Sequence, residues 1–156
     1  MSDAPYVAVV GASGPTAQQE HDAEIVGRLL AESGAMVVTG GRGGVMAAAS
    51  RGASAAGGTT VGILPGADRT DANEWVSVAI PTGLGELRNG LVVRAADVVI
   101  AVGGAYGTLS EIALALRAGL PVIGLDTWAI DGIEHASSAA AAAARALELA
   151  RERRRG

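Results

Sequence analysis

A chain of 156 residues, 49% hydrophobic and only 18% charged, is long enough to bury a sizeable core and too apolar for a disordered polyelectrolyte. The absence of cysteine excludes disulfides, thiolate metal sites and cysteine nucleophiles, and two histidines leave little for a zinc or iron centre, so no metal site is expected. All 12 basic residues are arginine, which excludes pyridoxal phosphate Schiff bases and Walker-type phosphate loops, and the net charge of −4 gives no general attraction to nucleic acid or an anionic membrane.

Glycine occurs 23 times and phenylalanine not at all, so the core must be built from Val, Ile, Leu and Ala with close backbone approaches. In chain order, strands are expected at 6–10, Met36–Thr39, Thr60–Leu64, 75–80, Val98–Val102 and Val122–Leu125. Most are continuous apolar runs, the pattern of strands covered on both faces. Helical spacing fills the gaps: Ile25 with Leu29 and Val26 with Leu30, then 45–56, then 84–95, then Leu109, Ile112, Ala113 and Leu116. An alanine-rich helix over 136–150 closes the chain, and a basic tail at 151–156 follows, read as a solvated helix end or a disordered terminus.

Alternating strand and helix imply parallel strands joined by right-handed crossovers. The expected fold is α/β, a Rossmann-like three-layer helix–sheet–helix sandwich with a mainly parallel sheet, forming a single domain over 1–156. No apolar run reaches the ~18 residues that span a bilayer, and no leader pattern opens the chain. A soluble cytoplasmic protein is the expectation.

Ligands of such sheets sit beyond the carboxyl ends of the strands, where helix N-termini offer free N–H groups. Three glycine-rich turns fall there: Gly11-Ala12-Ser13-Gly14, Gly40-Gly41-Arg42-Gly43-Gly44, and Gly103-Gly104-Ala105-Tyr106-Gly107-Thr108. Together they suit an anion cradle built from Ser13, Gly14, Gly41, Gly43, Gly44, Gly103, Gly104, Gly107 and Thr108. None fits the dinucleotide fingerprint, so a mononucleotide or another phosphorylated small molecule is the expected ligand.

Side chains near these turns carry two readings each. Glu111 is either a carboxylate beside a ribose or the third residue of a capping box begun by Thr108. Arg88 either holds a phosphate or pairs with Glu86; Asn89 either reads a base or ribose edge or caps a helix. Arg42 is a lid over an anion or simply exposed. Tyr106 and Trp128 follow strand ends, where each could stack on a base or cover the sheet edge, and Tyr106 is taken as a ligand contact. His21 and His135 are placed on helices outside the site.

The second turn followed by Val45-Met46, the pair Arg88-Asn89, and the run from Gly103 to Glu111 resemble the LOG-like (SLOG) superfamily over nearly the whole chain. The resemblance implies a Rossmann-like fold and a homodimer or homotetramer. It also implies one of two functions that require no resident cofactor. One is hydrolysis of the N-glycosidic bond of a nucleoside 5′-monophosphate, as in cytokinin-activating phosphoribohydrolases, with Glu111 and Arg88 catalytic. The other is carriage or sensing of a phosphorylated cofactor of the molybdopterin type. Lysine decarboxylation, a label sometimes attached to that superfamily, is not expected. Val102 stands where the hydrolases have proline, Ala105-Tyr106 gives two residues where they have one, and Asn89 replaces their lysine. These departures look more like the short molybdenum cofactor carrier branch.

Overall fold

The computed structural model describes residues 3–156. Seven strands form one sheet: β1 (Tyr6–Gly11), β2 (Met36–Thr39), β3 (Thr60–Leu64), β4 (Val78–Pro81), β5 (Val98–Val102), β6 (Val122–Leu125) and β7 (Ile133–His135). Their order is β4-β3-β2-β1-β5-β6-β7, and every neighbouring pair is parallel. Five α-helices connect them: α1 (Ala17–Glu32), α2 (Val45–Ala55), α3 (Asn89–Arg94), α4 (Tyr106–Arg117) and α5 (Ala139–Arg155). The chain is thus the Rossmann-like α/β sandwich that its alternating pattern implies.

Alternation along β1 sorts the two faces. Val7 and Val9 point into a core shared with residues of α1, α2 and α5, while Ala8 and Val10 point into a second core shared with α3 and α4. Val7 is registered with Val37 of β2 and Val98 of β5, so the centre of the sheet is a row of β-branched residues. With no phenylalanine, the layers close by backbone proximity. A Cβ on Gly27 of α1 would lie 2.0 Å from the Ala49 carbonyl of α2, and one on Gly52 of α2 would lie 2.0 Å from the Glu24 carbonyl of α1. The two helices therefore touch backbone to backbone, a contact that only glycine permits.

Several boundaries differ from the sequence expectation. β4 begins at Val78 rather than Trp75; Trp75 lies before the sheet, where its ring takes the Arg51 guanidinium at 5.3 Å. The helix expected over 84–95 is a 3-10 turn (Gly85–Arg88) running into the short α3, preceded by positive φ at Gly83 and Gly85. β7 had no signal, being three residues at a sheet edge, and it places His135 on a strand rather than a helix. The last helix starts later, at a Ser138 cap that accepts from Ala141 N–H, and continues through the basic tail to Arg155. The tail is therefore a helix end, not a disordered one.

Candidate functional site

The order of the sheet reverses between β1 and β5, and at that switch point the carboxyl ends of the strands leave a crevice. A cleft of about 340 Å³ opens there. Its walls come from Gly11, Ala12 and Ser13 at the end of β1, Met46 on α2, Pro65 after β3, Gly85, Glu86, Arg88 and Asn89, and Ala105, Gly107, Thr108 and Glu111 at the start of α4.

Of the residues expected in the site, Ser13, Arg88, Asn89, Gly107, Thr108 and Glu111 line this cleft. The remaining glycines shape it from behind. Gly44 has φ +66, and a Cβ there would lie 2.3 Å from the Ala12 carbonyl, so it seats the second turn on the first. Val45 N–H donates to that same carbonyl at 3.0 Å, which carries the α2 N-terminus and Met46 to the cleft wall. Gly41 is buried over Gly62 and Leu64, while Gly14 and Gly43 have open space around them, outside the wall. Gly103 and Gly104 turn the chain at φ +59 and +129, Gly104 lying tight against the Thr108 side chain.

The helix ends around the cleft differ in a way that matters for anions. α1 is closed by its own capping box, with Thr16 and Gln19 satisfying each other's backbone N–H groups. α2 and α4 begin at Gly44 and Ala105 with no side-chain cap. Among the described residues, the N–H groups of Gly104 through Thr108 find no protein acceptor. The start of α4 therefore presents a run of free donors and a positive dipole end to the cleft. The capping box expected from Thr108 and Glu111 does not form. The helix begins at Tyr106, so Thr108 is already its third residue and Glu111 lies in the second turn.

Arg88 sits half-buried behind the cleft. Its Nε donates to the Ile63 carbonyl at 2.9 Å, an Nη to the Gly40 carbonyl at 3.4 Å, and the other Nη to Asn89 Oδ1. The expected ion pair with Glu86 is not formed; backbone carbonyls orient the guanidinium and leave its charge uncompensated by any bridging acid. Asn89 is buried and spans the floor, accepting from Arg88 and donating from Nδ2 to Ser110 Oγ at 3.1 Å, whose hydroxyl in turn donates to the Gly107 carbonyl. Its amide is thus a brace between Arg88 and α4 within the cleft wall.

Glu111 is 8% exposed. Burial pushes its carboxyl up to about 7, against the opposing pull of the Arg88 charge. Among the described residues it takes part in no hydrogen bond or ion pair. Burial also lowers the Arg88 pKa; Glu111 raises it, and the exposed Arg42 lowers it again. Tyr106 is 81% exposed and stacks on Trp128 with ring centroids 6.1 Å apart, lining an adjacent groove rather than the cleft.

Met46, Pro65, Gly85, Glu86, Gly11, Ala12 and Ala105 are wall residues that were not expected in the site. Gly11, Ala12, Met46 and Ala105 lie inside the glycine-rich motifs, whereas Pro65, Gly85 and Glu86 lie outside them. His21 and His135 lie off the cleft wall. No group of three or more His, Cys, Asp or Glu among the described residues could hold a metal ion, and no helix of the described residues is long and apolar enough to cross a membrane.

Residues 4–152 match the SLOG cluster4 family, and the chain belongs to it. The molybdenum cofactor binding protein of Rippkaea orientalis superposes with a TM-score of 0.85 at 38% identity, covering 90% of this chain and 93% of that one. The molybdenum cofactor carrier protein of Chlamydomonas reinhardtii superposes with a TM-score of 0.84 at 34% identity, covering 94% and 98% of the two chains. An uncharacterised protein of Archaeoglobus fulgidus is 41% identical over 119 residues, 76% of this chain and 78% of that one.

Proposed function

We propose that this protein binds and carries a phosphorylated small molecule of the molybdopterin type in the β1/β5 crevice, without chemistry on it. The observation that carries the reading is the pairing of the uncapped start of α4 with an arginine held on carbonyls instead of on an acid. Free backbone donors at the start of α4 and an arginine charge that no carboxylate bridges are in place for a phosphate before any ligand arrives. The relatives named for molybdenum cofactor binding and carriage support the same class of cargo. The chain offers no thiolate to molybdenum, so the grip would fall on the phosphate and the ring system.

A thermal-shift panel of pterin phosphates, nucleoside monophosphates and their dephosphorylated forms tests this, followed by chromatography of each bound nucleotide for released base. A phosphorylated pterin is expected to raise the melting temperature in proportion to its binding, with the dephosphorylated form inert and no base released. Stabilisation by dephosphorylated forms alone would defeat the phosphate assignment.

Gly107→Val isolates the donors. A Cβ there meets no atom within 4 Å, so the fold should stand, yet Gly107 lines the cleft. Affinity for the phosphorylated ligand is expected to fall about tenfold or more, the loss of a charge-assisted hydrogen bond, at an unchanged melting temperature. Gly43→Val, equally unobstructed but outside the wall, is the control that should bind as wild type.

One observation favours a second reading, hydrolysis of a nucleoside 5′-monophosphate. Glu111, with its carboxyl near 7 and its place in the cleft wall, has the proton affinity suited to acid–base work at neutral pH. Released base in the chromatography would select it.

The same surface supports a homo-oligomer, a dimer or a tetramer. Leu84 and Leu87 at the 3-10 turn, Leu91 on α3 and Leu114 on α4 stand exposed, Leu87 by 79%. They border grooves with Glu86 at one end and Arg94 and Arg117 at the other. A two-fold copy would bury the leucines and set its acidic end against the arginine end of this one. Sedimentation should find an oligomer that Leu87→Asp converts to monomer; a monomeric wild type would discard the interface.

A further inference from the structure

The loop that begins α4 is held from outside the cleft by a segment that no motif marks. Gly103 N–H donates to the Leu125 carbonyl at 3.1 Å. The Gly103 carbonyl accepts from Thr127 Oγ1, and the Ala105 carbonyl accepts from the Trp128 indole Nε1 at 3.2 Å. The Tyr106 ring then lies on the Trp128 ring.

These bonds have a directional consequence. In a trans peptide the carbonyl of one residue and the N–H of the next point in opposite directions. Drawing the Gly103 carbonyl toward the segment after β6 therefore turns the Gly104 N–H the other way, and the Ala105 carbonyl, which the indole shares with the Leu109 N–H that opens α4, is held so that the Tyr106 N–H points away from both. In the sheet, β6 flanks β5 on one side and β1 on the other, and the cleft lies on the β1 side. We infer that Thr127 and Trp128 are positioning residues that aim the anion-binding amides of Gly104 and Tyr106 toward the cleft.

The residue just before this pair supports the assignment independently. Asp126 holds φ +51 and is the sole non-glycine with positive φ among the described residues. Such a conformation persists where its surroundings over-determine it. Gln19 Nε2 donates to its carboxylate at 3.0 Å, while Gln19 Oε1 is engaged by Thr16 N–H in the α1 capping box. A Cβ on Gly103 would strike that same Gln19 side chain at 2.6 Å. The strained corner thus sits between the α1 cap and the loop, and it directs Thr127 and Trp128 back over the loop.

The inference rests on the phosphate site proposed above, and the test separates the two. Thr127→Val removes the hydroxyl at nearly constant shape, and Trp128→Phe keeps an aromatic ring for Tyr106 while removing the indole N–H. Inorganic phosphate is titrated into 15N-labelled wild type and each variant, following the amide signals of Gly104 and Tyr106. In wild type phosphate should move both signals. In each variant the signal following the carbonyl that loses its side-chain donor, Gly104 for Thr127→Val and Tyr106 for Trp128→Phe, should already be displaced without phosphate, although the Ala105 carbonyl keeps its bond from Leu109 N–H. Phosphate affinity should then fall by about three- to tenfold, the scale of one lost neutral hydrogen bond, with the melting temperature little changed. Variant signals that stay at their wild-type positions in phosphate-free protein, or variants that bind phosphate as wild type does, would overturn the positioning role alone. Wild-type signals indifferent to phosphate would overturn the anion site itself, and this role with it.

Discussion

Glu111→Gln is expected to stabilise the ligand-free protein above pH 7 by on the order of 3 kcal/mol, the cost of ionising a carboxyl whose pKa stands near 7 in the fold against 4.5 in the unfolded chain. Between those two values the folded state binds more protons than the unfolded one. Stability therefore falls as pH rises from 4.5 to 7 and levels off above. The amide cannot ionise, so the variant should lack this slope and melt higher at pH 8, by roughly 5–10 °C in a chain of this size, with little difference at pH 4. Equal slopes in denaturant titrations of the two proteins would show that Glu111 is solvated and that burial does not control its charge. The same variant decides the hydrolytic reading: if wild type releases base, Glu111→Gln should do so at least ~10²-fold more slowly.

Arg88→Ala should weaken a phosphorylated ligand by roughly ten- to a hundredfold, the equivalent of a charge-assisted hydrogen bond of about 1.5–3 kcal/mol. Its dephosphorylated counterpart should lose little. The comparison matters because Arg88 also braces Gly40, Ile63 and Asn89, and a merely structural arginine would cost both ligands alike. Isothermal titration with each pair measures the difference. Arg88 itself lines the cleft, so water is expected to fill the space its side chain leaves and to reach the Ile63 and Gly40 carbonyls, and folding should survive.

Much of the architecture could be read from local pattern. β2, β3, β5 and β6 occupy the residues expected of them because buried parallel strands are unbroken apolar runs with glycine, proline or polar residues at their ends. β7 escaped because an edge strand of three residues, Ile133-Glu134-His135, needs no apolar run. β4 was displaced because Trp75, a strand-forming residue by type, is occupied by Arg51 instead. The cleft followed from where strands end, a rule about chain direction that needs no side-chain detail.

The capping box expected at Thr108 and Glu111 fails for a local reason. A Thr-x-x-Glu spacing describes a cap only if the helix starts at the threonine, and here it starts two residues earlier, behind Ala105. That shift carries Glu111 from the helix mouth into a buried wall and creates its altered proton affinity. The bracing by Asn89 and the hold of Thr127 and Trp128 depend on contacts between segments 21 or more residues apart. No periodicity announces such contacts.

The glycine contact between α1 and α2 divides the crevice into unequal jaws. On the side of α2, backbone lies on backbone at Gly27 and Gly52 with no side chain between to slide or repack, so Met46 and the first two turns form a fixed anvil. The opposite jaw, Gly83 to Arg88, is a run of exposed residues with left-handed glycines that ends on the half-buried Arg88, tied down by the Gly83 and Gly85 N–H groups on the Gly66 and Pro65 carbonyls and by Arg88. Adjustment to ligands of different girth is expected from that jaw, and the arginine proposed to hold the phosphate is also one of the tethers that limit its travel.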